Sequence, residues 1–157
     1  MRKSGAAVAA LVLALTGAVT STTTTTAQAT ASGGCNSAWP GRNGHMYAWR
    51  DIYCVGLLGN TAGSDDHWGD AYGPFTGLDA NNASSVMNAG YTGGRDVVKF
   101  FFVPQYEAAS YACLDPTEYF ADDLRDNTFT NGALVNDNIM AHKWVTDGEC
   151  AWGSWIG

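Results

Sequence analysis

A run of Asx and Ser residues that occurs twice places the strongest constraint on this chain. Asp79-Ala80-Asn81-Asn82-Ala83-Ser84-Ser85 passes directly into apolar Val86 and Met87. Asp, Asn and Ser side chains bond nearby backbone groups and favour turns over ladders. The run therefore predicts a tight polar arch feeding a short strand. Val135-Asn136-Asp137-Asn138-Ile139-Met140-Ala141-His142 is its echo. With Ala83 set on Ile139, Asn81 falls on Asp137 and Asn82 on Asn138. Each arch is preceded by an aromatic anchor, Trp49 with Tyr53 and Gly56, then Phe101 with Tyr106 and Ala108. The anchors are offset by 52 residues and the arches by 56. Two anchors in one order at nearly one offset predict two tandem copies of a four-strand unit.

The amount of chain left to fold is set at the N-terminus. Arg2 and Lys3 precede an apolar run from Ala6 to Leu15, of signal-peptide length and too short to span a bilayer. Ala27-Gln28-Ala29 and Ala29-Thr30-Ala31 offer small-x-small cleavage patterns. Residues 1–31 are read as a signal peptide with a disordered Thr-rich segment, and 32–157 as one domain. Loss of Arg2 and Lys3 leaves six basic against 15 acidic residues, a net charge of −9. Such a surface repels nucleic acid and anionic lipid, so neither partner is expected. The predicted location is secreted and extracellular, as a monomer.

Cys35, Cys54, Cys113 and Cys150 all fall in the exported part. An even count in a small secreted domain reads as two disulfides with three connectivities open. Cys35–Cys54 with Cys113–Cys150 is favoured because each bridge stays within one half, worth roughly 3 kcal/mol each. No C-x-x-C pair or Cys/His spacing supports zinc.

Between these marks lie short strands: 45–50, 53–58, 85–88, 96–103, 110–114 and 142–145. Asp96-Val97-Val98-Lys99-Phe100-Phe101-Phe102-Val103 is the strongest, β-branched and aromatic between Gly94 and Pro104. Residues 32–43 read as an irregular lead-in, and the apolar spacing over 116–124 predicts a short helical turn. Ala89 to Gly94 is the boundary, giving units of about 44–90 and 95–146. Short strands with frequent Gly and Asn turns predict an all-β sandwich.

The aromatic strand, the aromatic and glycine at a hairpin fold, and the Asn/Asp-x-x-Ser-Ser arch resemble one Greek-key unit of the βγ-crystallins. Two such units make one sandwich. With its export signal and disulfides the chain resembles the actinobacterial secreted peptidase-inhibitor family of the Streptomyces metalloproteinase-inhibitor type. Asn82-Ala83-Ser84-Ser85-Val86 and Asp123-Leu124-Arg125-Asp126-Asn127-Thr128-Phe129-Thr130-Asn131-Gly132 carry the likeness, which spans roughly Gly44 to Val145. It implies an all-β, disulfide-stabilised domain of two tandem Greek keys that inhibits an extracellular metallo- or serine peptidase. It also implies calcium as a candidate cofactor, with Asn81 and Ser84 at one arch and Asn136 and Asp137 at the other. Ala80, Met140 and Ala141 depart from the family pattern, the last two standing where hydroxyls are usual.

The long polar stretch 59–73 is the candidate inhibitory loop, with Asp65, Asp66, His67 and Trp68 as its contact residues. A rigid loop can fill a peptidase cleft without being released. The same acids with Asp70 could form an acid–base cluster. The absence of G-x-S-x-G, H-E-x-x-H and a phosphate loop argues against an enzyme. A calcium-binding structural or stress protein and a secreted toxin or cell-wall-binding module are the alternatives. Of the six tryptophans, Trp49 and Trp144 read as core, and Trp152 and Trp155 with Ile156 as a terminal plug, the other reading being an exposed binding patch.

Overall fold

The computed structural model describes residues 34–107 and 110–157. The signal peptide and Thr-rich segment expected over 1–31, and Ala108 of the second anchor, lie outside the described residues. The order of elements is α1 Gly34–Ala38, β1 His45–Asp51, β2 Val55–Thr61, β3 Ser85–Ala89, β4 Val97–Phe101, β5 Tyr111–Leu114, β6 Phe120–Ala121 and β7 Ala141–Val145. They form two antiparallel sheets, β2-β1-β3-β6 and β5-β4-β7. The protein is all-β and disulfide-stabilised, with short helical turns at its margins.

Alternation along the strands explains how the sheets are used. Met46 and Ala48 of β1, Val86 of β3, Val98 and Phe100 of β4, and Ala112 and Leu114 of β5 share one buried cluster. Their neighbours point the other way, as a period of two requires. Trp49 and Met87 meet Cys35 behind the first sheet. Val97, Cys113 and Val145 pack with Trp155 behind the second. Each outer face therefore has its own cover. Helix α1 lies behind the first sheet, stapled by Cys35–Cys54; the C-terminal tail lies behind the second, stapled by Cys113–Cys150. Trp68, Phe75 and Phe129 also enter the shared cluster, and full burial of each such ring is worth about 2–3 kcal/mol.

The halves exchange pieces. β6 comes from the second half but pairs with β3 of the first, Met87 opposite Phe120. Asp65 comes from the first half and bridges to His142 of β7. Main-chain bonds recur in matched pairs. Ser84 N–H donates to Trp49 O at 2.9 Å, and Met140 N–H to Phe101 O at 2.9 Å. Tyr53 N–H donates to Asp122 O and Gln105 N–H to Asp66 O, both at 2.7 Å. Across the arches, Asn81 N–H donates to Ile139 O at 2.8 Å and Asp137 N–H to Ala83 O at 2.9 Å. Asn81 and Asp137 share a left-handed φ, 57° and 55°, which Asn and Asp adopt more readily than most residues.

Several local expectations change. The lead-in contains α1, because Cys35 is drawn under β1 by its disulfide. Where a helical turn is expected over 116–124, the chain makes a turn closed by Glu118 N–H to Asp115 O at 3.3 Å, then strand β6 at Phe120–Ala121, with a 3₁₀ turn at Leu124–Asp126. Pairing with Met87 overrides the local spacing there. Gly59 to Thr61 belong to β2 rather than to a loop. The tail divides: Ile156 is buried and Trp155 half-buried, whereas Trp152 is 98% exposed. Trp144 is half-buried rather than core.

Candidate functional site

The segment between β2 and β3 is built around an inward pin. Trp68 is fully buried and stacks on Phe75, ring centroids 4.1 Å apart and planes at 12°. Its indole N–H donates to His142 Nδ1 at 2.8 Å. The other ring nitrogen of His142 lies 3.0 Å from Gly63 O. Burial pushes the His142 pKa down to about 4, opposed by the Gly63 carbonyl, so the ring is neutral at ordinary pH. His142 therefore accepts from Trp68 and donates to Gly63, which fixes its tautomer.

The expected contact residues divide accordingly. Trp68 and Asp65 are buried, and the half-buried His67 lies between them in chain order from exposed Asp66. Asp65 and Trp68 are thus not presented to a partner. Both lie beneath the loop because Asp65 N–H donates to His142 O at 3.0 Å and Trp68 N–H to Met140 O at 2.9 Å. Burial raises the Asp65 carboxyl pKa, against the lowering effect of the His67 and Phe75 backbone N–H groups; Asp70 and Asp66 add to the rise.

What the loop presents comes later in the chain. Tyr72 is 80% and Leu78 86% exposed, on either side of the buried Phe75. Short polar bonds hold the backbone between them. Tyr72 N–H donates to Asp70 Oδ1 at 2.7 Å, and Thr76 N–H to Asp79 Oδ2 at 2.8 Å. Gly77 N–H reaches Asp70 O at 3.3 Å, and Asp79 N–H reaches Thr76 O at 3.2 Å. Gly73 has φ 85°, and a Cβ there would lie 2.7 Å from Asp65 Oδ2, so only glycine suits the position. The acids of this stretch act as backbone acceptors that shape the loop. A sequence signal for Tyr72 and Leu78 existed in the Asp-x-Tyr and Thr-x-x-Asp turn patterns around them. It was masked by the larger Trp68.

The four candidate calcium ligands meet only in part. Ser84 Oγ donates to Asp137 Oδ1 at 3.2 Å, and Asn136 Nδ2 to Asp137 Oδ2 at 2.6 Å. Asn81 joins through its backbone N–H alone, to Ile139 O. Calcium takes six to eight oxygens. These four residues bring one carboxylate, and both its oxygens already accept internal bonds. Among the described residues no group of three or more His, Cys, Asp or Glu side chains could hold a metal ion. Asn136 Oδ1 is buried without a partner among the described residues, so the four side chains offer one uncommitted buried oxygen, and backbone carbonyls and water would have to complete a calcium shell.

No family model matches this chain, and no curated protein or solved structure matches it either. Its two disulfides suit an oxidising compartment, and among the described residues no helix is long and apolar enough to cross a membrane.

Proposed function

We propose that this protein is a secreted inhibitor of extracellular peptidases, built on two tandem Greek-key units of the βγ-crystallin type. The fold reading is supported by the matched main-chain bonds of the two halves and by their exchange of β6 and Asp65. The functional reading rests on one observation. The loop 69–79 carries two strongly exposed apolar side chains, Tyr72 and Leu78, on a backbone pinned by Phe75 and by Asp70 and Asp79. An inhibitor needs such a surface. Side chains must be available to a cleft, while the backbone must lose little entropy on docking and resist release after attack. The contact set moves from Asp65–Trp68 to Tyr72–Leu78.

A titration against thermolysin-like and subtilisin-like peptidases tests this. We expect inhibition of a member of one class, weakened by about 2 kcal/mol, roughly 30-fold, in Tyr72→Ala or Leu78→Ala. No inhibition of either class at about 10 μM protein, or full inhibition by the double variant, would sink the proposal.

A further inference from the structure

A second surface, made of residues the loop does not use, has the chemistry of a ligand site. Asn36, Trp39, Glu118, Tyr119 and Phe120 line an open groove of about 330 Å³, within the size range of small-molecule sites. Its walls come from opposite ends of the chain. Asn36 and Trp39 follow the Cys35 staple, while Glu118 and Tyr119 lead into β6. Trp39 and Tyr119 meet edge to face, centroids 4.9 Å apart.

Both walls are rigid. Arg42 lies against both rings, 5.3 Å from Trp39 and 4.8 Å from Tyr119. Its guanidinium donates to Asn88 O at 3.0 Å, Gly90 O at 3.1 Å and Pro116 O. Tyr119 O accepts from Asn88 N–H at 2.7 Å. Tyr119 has φ 64°, a left-handed conformation that an aromatic residue rarely adopts, and it is 45% exposed. Such outliers persist where the surroundings over-determine them, and they gather at ligand clamps.

The polar groups of the groove are uncommitted. Among the described residues the Asn36 amide, the Glu118 carboxylate, the Trp39 indole N–H and the Tyr119 hydroxyl have no hydrogen-bond or ion-pair partner. Three comparable groups elsewhere are tied down. Trp68 N–H bonds His142, and the Tyr47 and Tyr111 hydroxyls accept bonds from Asn43 and Ala151.

This combination selects a ligand class. An anion would face Glu118, and the nearby cation Arg42 has spent its donors on three carbonyls. A cation would be repelled by the Arg42 guanidinium, 5.3 Å from the Trp39 ring and 4.8 Å from the Tyr119 ring. An apolar side chain would cover Asn36 and Glu118 without pairing them, at a desolvation cost. A neutral sugar ring meets none of these objections. Its C–H face can lie on an aromatic ring, and its hydroxyls can donate to a carboxylate and exchange bonds with an amide. We infer that the groove lined by Trp39, Tyr119, Asn36 and Glu118 binds a neutral saccharide. This inference is independent of the inhibitor reading, because the two surfaces share no residue.

NMR titration of the indole N–H signals tests it, with Trp39→Phe used to assign the Trp39 resonance. The probes are chitotriose, cellotriose, maltotriose and xylotriose, with trigalacturonate and tetramethylammonium as charged comparators. We expect at least one neutral trisaccharide to shift the Trp39 signal and neither charged probe to do so. Tyr119→Gly removes the ring where glycine accepts the backbone without strain, so the protein should stay folded, with a lower melting temperature from the lost Trp39 and Arg42 contacts, while binding weakens about tenfold. Glu118→Gln, which still offers an acceptor, should bind better than Glu118→Ala. Silence of the Trp39 signal up to about 10 mM of every neutral probe overturns the inference. So does preferential binding of tetramethylammonium, or unaltered affinity in a folded Tyr119→Gly.

Discussion

The hairpin corners at Tyr53–Cys54 and Gln105–Tyr106 have the same backbone and different braces. Their φ values are 61° and 60° in the first, 61° and 57° in the second. The first is held by the Cys35–Cys54 bridge and by Ser85, whose hydroxyl accepts from Cys54 N–H at 3.0 Å and donates to Asp51 O at 2.7 Å. At the place corresponding to Ser85 the second half has Ala141. Its corner has no disulfide and is braced by the Tyr106 side chain, which lies 5.3 Å from the Phe101 ring, 5.5 Å from the Lys143 ammonium and in a hydrogen bond with Ser64. The main-chain scheme is therefore common to the halves, and the side chains that secure it are interchangeable in kind. One corner uses a disulfide and a serine hydroxyl, the other an aromatic side chain.

The sharpest test is at the pins beneath the two loops. Trp68 N–H bonds Met140 O as Leu124 N–H bonds Ser84 O, and both side chains are fully buried. Trp68→Ala should cost about 3–5 kcal/mol and Leu124→Ala about 2–5, read from urea midpoints. A Trp68→Ala cost below about 1 kcal/mol would show that the first loop is anchored by something else.

The two staples come next. Bridge separations of 19 and 37 residues predict losses of about 3 and about 4 kcal/mol when each pair is replaced by alanine, measured by thermal melts. A much larger loss at Cys35–Cys54 would show that it also holds α1 in place, beyond its effect on the unfolded chain.

Acid separates the halves by chemistry. His142 stands where the first half has Val86, and both are fully buried. Its pKa falls from 6.5 when unfolded to about 4 in the fold, so the folded state binds this proton less readily. Stability is full above pH 6.5 and declines as pH falls toward about 4, by roughly 3 kcal/mol. Asp65 acts with the opposite sign. Its raised pKa means the fold gains as pH falls through it, and the gain is complete below 3.8. His142→Val should flatten the slope between pH 6.5 and 4, while lowering stability because Trp68 N–H loses its acceptor.

Smaller effects follow. Ser85→Ala should cost about 1–2 kcal/mol, because two backbone groups lose their partner. The half-exposed bond of Ser84 to Asp137 is weaker, and Ser84→Ala should cost about 0.5 kcal/mol. Melting temperatures with calcium and with chelator should agree; a clear rise with calcium would restore the arches as a metal site.

The strands of the second half were legible because β-branched and aromatic residues crowd Val97 to Phe101 between Gly94 and Pro104. The arches were legible because Asx and Ser side chains act on their own backbone. Trp68 was misread because it sits among Asp65, Asp66 and Asp70, and local polarity suggested exposure. Phe75 covers one face from seven residues on, and the rest of its surroundings come from far along the chain: Phe100 and His142, with ring centroids 6.4 and 5.6 Å away. β6 was misread for a related reason, its partner Met87 being more than thirty residues earlier.

The sequence by itself determined what short-range forces decide: strand alternation, turns at Asx and glycine, and a pattern that occurs twice. Only the tertiary structure decided which half supplies each edge segment, which aromatic is a pin and which is displayed, and that Trp39 and Tyr119 meet in the lining of one groove. Those outcomes depend on contacts between distant residues, whose loop-closure cost is met only when the whole core assembles. No local window of the chain records them.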